Sequence, residues 1–357
     1  MSEKFFLGGV TPNGFSTQLG EYVNSTSYFT YILKGGAGTG KSTLMKKLAD
    51  HFEPSENVTR YFCSSDPESL DAVVLHSSKT VVIDGTAPHV FDPKYPGVCQ
   101  RIFDLGFFWN KDILLDSREA IVRTCDTNKR LLACASDYAK ALGKVCEDSF
   151  SWGEFCLDEQ KLTAFAQRFC KKLFGKRHGL RGRQQLRQLS ALTMYGYITL
   201  SETLENYLDL YCICDDRFCG SDKLIRLIAQ QARAHGYDVK LSPCLLFEDL
   251  IYEHLLIDEI GVAILSSSPL THLEIPHAHR INMTRFYDKP KLISCKHQSK
   301  TNISLIRQLS DLTAATMMQA KQVHDELESH YIKAMDFDGL DRVCETISGE
   351  IAFRGKK

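Results

Sequence analysis

"KGGAGTGKSTLMKKLA", residues 34–49, is the stretch on which the reading of this chain turns. Gly35 to Ser42 fits G-x-x-x-x-G-K-[ST] without a mismatch. Before it, "SYFTYILK" is rich in β-branched and aromatic residues, as a buried parallel strand requires. After it, Leu44, Leu48 and Phe52 recur at helical spacing. Strand, glycine loop and helix in that order make an anion cradle. Glycines let main-chain N–H groups turn inward with no side chain in the way, and the helix start adds free N–H groups and a positive dipole end. A nucleotide's phosphates are therefore expected over Gly35, Gly36, Ala37, Gly38, Thr39, Gly40, Lys41, Ser42 and Thr43. Lys41 would reach the β- and γ-phosphates, the Ser42 hydroxyl would ligate Mg2+, and Thr43 would lie near the α-phosphate.

The companion element follows about 40 residues later, where "TVVID" (80–84) reads as an apolar strand ending in a carboxylate. Asp84 is the expected metal-side partner of Ser42. Asp66, in "CSSDPESLD", lies just past a second expected strand, "VTRYFC", at the carboxyl end of the sheet where ligands of such folds bind. It reads either as the group that orients water or as the N-cap of a short helix. Glu68 is a second candidate for that role, and His89 a candidate γ-phosphate sensor. The catalytic set expected from sequence is Lys41, Asp66 and Asp84.

Half a chain downstream, "CDDRFCGSDKLIRLIA" (214–229) lies under the loop at a shift of 180, with Gly40 over Gly220, Leu44 over Leu224 and Ala49 over Ala229. "VTPNGF" matches "LTMYGY", and "VVIDGTAP" matches "VAILSSSP", at nearly the same offset. Collinear matches at half-chain spacing imply a duplicated domain; solenoid repeats run at about 20–50 residues. In the second copy Ser221 replaces Lys41, Asp222 replaces Ser42 and Leu265 replaces Asp84; Asp222 would set a negative charge where the β-phosphate belongs. The expectation is α/β: two tandem P-loop NTPase-like three-layer αβα domains, 1–178 and 179–357, the second degenerate. Each carries a helical extension, 111–178 and 301–357. One nucleotide per chain follows.

"FFLGGVTPNGF", "KGGAGTGKSTLMKKLA", "YFCSSDPESLDAVV", "VVIDGTAPHVFDPKYPG" and "QVHDELESHYIKAMDF" together resemble a group of bacterial tandem P-loop proteins known as ATPase-like or ATP-binding. The resemblance spans nearly the full length and implies a pair of P-loop domains and ATP binding, without naming a pathway. Members of that group often keep a phosphate loop in both halves, and this chain departs from that pattern at residues 215–222.

Composition narrows the rest. The 357 residues carry a net charge of -1, which argues against nucleic-acid binding and against capture by an anionic membrane. No signal peptide and no run of about 18 apolar residues is read, and thirteen scattered cysteines read as reduced thiols, so a cytoplasmic protein is expected. Cys212, Cys214 and Cys219 read as strand and loop thiols, not as metal ligands. The guanine-reading N-K-x-D is missing from "WNKDI" and "TNKRL", which favours ATP. The junction 171–187 holds seven Lys or Arg and no acid. It reads as a solvated linker, or as the source of an arginine finger at Arg177, Arg181 or Arg183. The helical regions suit a bundle on their own sheet, a lid, a protein-partner arm or a homo-dimer face. Three functions compete: a Mg-dependent ATPase with a pseudo-domain, a small-molecule kinase receiving substrate near Asp66, His89 and "FDPKYPG", and a nucleotide-regulated interaction protein with negligible turnover.

Overall fold

Apolar runs too short for helices organise the chain into two six-stranded sheets. The computed structural model describes residues 2–355 except Asn13, Gln18, Pro88, His89, Arg177 and His178, so His89 and Arg177 lie outside the described residues. The first sheet uses β1 (Glu3–Phe6), β2 (Phe29–Lys34), β3 (Val58–Phe62), β4 (Leu70–Leu75), β5 (Thr80–Asp84) and β6 (Gln100–Asp104), in the order β1-β3-β4-β5-β2-β6. Only β4 runs against the others.

The second sheet uses β7 (Gln184–Leu186), β8 (Asp209–Cys214), β9 (Val239–Pro243), β10 (Tyr252–Ile257), β11 (Val262–Ser267) and β12 (His279–Asn282). Its order is β7-β9-β10-β11-β8-β12, and only β10 is antiparallel. The two sheets thus share order and orientation strand for strand. In each half a small hairpin follows the first strand, Gly8–Thr11 with Gly14–Thr17 after β1 and Ser190–Thr193 with Gly196–Thr199 after β7. Thr11 Oγ1 donates to the Gly14 carbonyl at 2.7 Å, and Thr193 Oγ1 to that of Gly196 at 2.9 Å. Gly14 and Gly196 both take the left-handed conformation, at φ 108 and φ 98, that favours glycine.

The molecule is α/β with mixed sheets. The antiparallel β4 departs from the sequence reading, which placed no strand at Leu70–Leu75 and offered a helix start at Asp66. "LDAVVL" is buried at every position, and such a run carries no periodicity to separate strand from helix.

The helices named below are α1 (Lys41–Phe52), α2 (Arg118–Cys156), α3 (Glu159–Leu173), α4 (Cys219–Ala234), α5 (Lys296–Lys333) and α6 (Phe337–Arg354). The regions expected to be helical are largely so, with α3 ending at Leu173, short of 178, and α5 starting ahead of 301. The chain forms two compact units, and they do not divide at 178/179. The first comprises Met1–Gly9, Phe15–Ala135 and Ala315–Lys357; the second comprises Val10–Gly14 and Ser136–Ala314. Apolar stripes explain the division. In the first unit Leu340, Val343, Ile347 and Ile351 of α6 share one core with Leu44, Met45, Leu48 and Phe52 of α1. In the second, Leu162, Ala166 and Cys170 of α3 share a core with Leu224, Ile225 and Ile228 of α4. Each aliphatic side chain withdrawn from water contributes roughly 1.5–3 kcal/mol. Each sheet is therefore covered by helices from the other half of the sequence. Tyr31 Oη adds a hydrogen bond to Glu350 Oε2 at 2.8 Å, which pins α6 to β2.

Among the described residues no helix is long and apolar enough to cross a membrane. All thirteen cysteines are free thiols.

Candidate functional site

β2 delivers its chain end into the glycine loop, and the pairing of Leu33 with Asp84 brings the end of β5 alongside. Gly38 and Gly40 take left-handed conformations at φ 69 and φ 79, and Gly40 caps α1. Space demands glycine there as well. A Cβ on Gly40 would stand 2.5 Å from Leu340 Cδ2, and one on Gly38 2.8 Å from the Glu328 carbonyl oxygen. Thr86 Oγ1 donates to the Gly35 carbonyl at 2.8 Å and Thr39 Oγ1 to that of Gly36 at 2.9 Å, fixing the loop from both sides.

Lys41 is folded into this loop. Its Nζ donates to the carbonyls of Gly35 and Gly36, each at 2.8 Å, and lies 3.5 Å from Asp84 Oδ2. Asp84 Oδ1 accepts the Thr86 amide at 2.8 Å. Burial pushes the Asp84 carboxyl above its usual range, against the pull of Lys41 and Thr86, and the charge of Asp71 pushes it the same way as burial. Asp71 is a second buried acid, 7% exposed, on β4. Ser42 Oγ accepts the amide of Leu70, the first residue of that strand, at 2.9 Å.

Asp66 caps a turn and does not begin a helix. Its Oδ1 accepts the Glu68 amide at 3.3 Å and its Oδ2 accepts the Ser69 hydroxyl at 2.8 Å, with β4 starting at the next residue. Lys321 Nζ stands 3.6 Å from Asp66 Oδ2.

These groups surround a cavity of about 540 Å3. Residues Gly36 to Thr43, Asp66, Asp71, Asp84 and Thr86 line one side; Asn128 and Leu132 of α2, with Met317, Lys321, His324 and Glu328 of α5, line the other. All belong to the first unit. Neither Glu68, Arg181 nor Arg183 lines it; Arg183 instead grips Asp238 through Nε at 2.9 Å and Nη2 at 2.7 Å.

Sequence reasoning missed Asp71, Thr86 and the α5 residues. The one available signal was the spacing of Lys321, His324 and Glu328 along one face of a helix, a pattern shared with any solvated face.

The second loop is built differently. Only residues 215–218 join β8 to α4, and α4 starts at Cys219, earlier than the shift of 180 would place it. Asp215, 3% exposed, accepts the Ser221 amide at 2.8 Å, the Arg217 amide at 3.1 Å and the Tyr287 hydroxyl at 2.9 Å. The Gly220 amide donates to Tyr287 Oη at 3.1 Å. The N–H groups at this helix start are thus taken by the chain's own oxygens.

Two expectations change. Asp222 does not occupy a phosphate position; its Oδ1 accepts the amide of Tyr252, first residue of β10, at 2.8 Å, and Arg226 Nε binds both its oxygens at 2.9 and 2.7 Å. That is the tie Ser42 makes to Leu70. The registers also match Leu33 with Asp84 and Ile213 with Ser266, so the residue standing in Asp84's place is Ser266, not Leu265. Phe218 holds a positive φ of 63 where Gly38 holds φ 69, without the glycine that eases such a backbone.

No protein-family model, curated protein or solved structure matches this chain.

Proposed function

We propose that the first unit is a P-loop domain that binds a nucleoside triphosphate with Mg2+, ATP in preference to GTP, and hydrolyses it. The second unit is its degenerate duplicate, so one chain takes one nucleotide. The observation that carries the reading is the placement of Lys41: an ammonium on a side chain 10% exposed, 3.5 Å from Asp84, in a loop whose Gly38 and Gly40 are left-handed and which opens a helix. A cation, a helix start and inward amides converge on one space, as a polyanion requires. Its 540 Å3 falls within the roughly 300–1,000 Å3 of small-molecule sites.

The oxygens of Ser42, Asp84 and Asp71 suit a hard cation, and the burial and the Asp71 charge that hold the Asp84 carboxyl above its usual range are what such a cation would offset. Bound there, Mg2+ supplies charge neutralisation for the β- and γ-phosphate oxygens. Lys41 exchanges the Gly35 and Gly36 carbonyls for phosphate oxygens, and the loop amides hold the remainder of the chain of phosphates. Asp66 has its oxygens committed to the turn and to Lys321, so we assign it to shaping the cavity rim and not to proton transfer. Support for the duplication is the shared strand order, the single antiparallel strand, the matched hairpins, and the Ser42–Leu70 and Asp222–Tyr252 ties. It agrees with the resemblance to bacterial tandem P-loop proteins. A second reading, phosphoryl transfer to a small acceptor, is favoured by the polar wall of Asn128, Lys321 and His324, which hydrolysis alone does not need.

Titration with Mg·ATP and Mg·GTP while following phosphate release tests this. The expected result is one ATP per chain, weaker GTP, and phosphate released without an acceptor; release only when an acceptor is added selects transfer. Lys41→Ala should weaken triphosphate binding by roughly 2–5 kcal/mol, as for loss of a buried charge partner. Unchanged affinity in a folded Lys41→Ala protein removes the assignment.

A further inference from the structure

The glycine loop is already in contact with a carboxylate. The Gly38 amide donates to Glu328 Oε1 at 3.2 Å. This is not a stray side chain, because the end of α5 bears on the loop with its backbone. A Cβ on Gly38 would meet the Glu328 carbonyl oxygen at 2.8 Å, Ile332 Cγ1 at 3.2 Å and Tyr331 Cβ at 3.3 Å. The Tyr331 ring lies 5.3 Å from that of Trp109, which in turn borders Gly36. His324 Nδ1 stands 4.0 Å from Glu328 Oε1, and Lys321 also feels the charge of that carboxylate.

We infer that Glu328 is a resident competitor for the phosphate-binding loop, holding the Gly38 amide with its carboxylate and giving it up when a phosphate chain binds. The inference rests on reading this loop as the nucleotide site and adds how access to it is set. A carboxylate and a phosphate oxygen cannot share one amide: the donor has a single hydrogen, and like charges at that separation repel. Apparent affinity is then the intrinsic affinity reduced by the fraction of molecules in which Glu328 has swung away.

The second loop supplies the contrast. There Asp215 does the same job from within the loop, 3% exposed and gripped by two amides and a hydroxyl. Glu328 reaches its amide from a separate helix, with 35% of its side chain still in solvent and one loop amide in its grasp. The first arrangement is permanent; the second is displaceable. Expulsion of the carboxylate breaks the Gly38–Glu328 hydrogen bond and leaves the packing of α5 on the loop in place.

The test uses the full chain, with Mg·ATP and inorganic tripolyphosphate as probes. Glu328→Gln keeps the shape and loses the charge. It should bind both probes on the order of tenfold tighter, the factor for a native site open about one-tenth of the time. Asp325→Asn, which removes an exposed acid on the same turn that does not touch the loop, should stay within about twofold of native. Should the glutamine variant fail to fold, Glu328→Ala reads the same way. Native-like or weaker binding by Glu328→Gln overturns the inference, and equal tightening by Asp325→Asn overturns it in favour of a general field. Native binding that Lys41→Ala abolishes, with no change in Glu328→Gln, leaves the nucleotide reading standing and sinks this inference alone. Binding by neither native protein nor variant removes both.

Discussion

Asp84 shows what burial costs a carboxylate that has one cationic neighbour. Burial raises its pKa above the usual carboxylate range, and Lys41 at 3.5 Å offsets that only in part. A raised folded pKa gives a contribution complete below the unfolded carboxylate pKa and lost as pH rises through the folded one. At neutral pH the ionised Asp84 therefore costs stability. Asp84→Asn should stabilise the ligand-free protein at pH 7 by roughly 0.5–2 kcal/mol, while weakening Mg-dependent ATP binding. The gain should shrink toward pH 4 as native Asp84 takes up its proton. Urea unfolding at both pH values checks this, and a variant less stable than native at pH 7 would refute it.

At the scale of one element, β10 carries two buried ionisable groups whose pH dependences oppose. Glu253, 3% exposed, accepts the Tyr197 hydroxyl at 2.7 Å; burial pushes its pKa up to about 7. His254 is fully buried, with Nε2 2.7 Å from Ser190 Oγ and Nδ1 accepting the Ser266 amide at 3.3 Å; burial pushes its pKa down to about 3. The amide at Nδ1 fixes the neutral tautomer with its proton on Nε2. Glu253 stabilises below its unfolded pKa near 4.5 and loses about 3 kcal/mol as pH rises through 7. His254 contributes stability above 6.5 and loses about 5 kcal/mol as pH falls toward 3. Between those unfolded values the two slopes cancel. Glu253→Gln should expose the histidine slope, with stability falling by about 1.4 kcal/mol per pH unit below 6.5 relative to native. Parallel native and variant curves from pH 4.5 to 6.5 would contradict this.

Elements also mark where the sequence stops being readable. β2, the glycine loop, α1 and the end of β5 at Asp84 could be placed from composition and spacing, because each combines a period with a punctuating residue. β4 could not, since every residue of "LDAVVL", Asp71 included, is buried, and a strand covered on both faces shows no alternation. Asp71 was hidden with it. Lys321, His324 and Glu328 were out of reach for another reason: their meaning depends on which sheet α5 covers, a tertiary fact absent from a helix's own periodicity.

For the whole molecule the decisive feature is that sequence halves and compact units do not coincide. The 1–178 fragment contains the glycine loop, Asp71 and Asp84 but lacks the whole of α5 and α6. In it Leu44, Met45, Leu48 and Phe52 of α1 would lose Leu340, Val343, Ile347 and Ile351. Tyr31 would lose Glu350, and Arg354 would no longer stack 3.5 Å from the Phe29 ring centroid. At roughly 1.5–3 kcal/mol per uncovered aliphatic side chain, that loss alone is comparable with the 5–15 kcal/mol by which a domain is stable. The 179–357 fragment lacks α3, and with it Leu162, Ala166 and Cys170 of the second core. Each fragment carries the cover that the other's sheet needs. Expressed singly, both should show no cooperative unfolding transition and no binding of Mg·ATP; expressed together, they should recover both. A 1–178 fragment that melts cooperatively and binds Mg·ATP by itself would show that α6 is dispensable to the loop, and that the exchange of helices does not hold the site together.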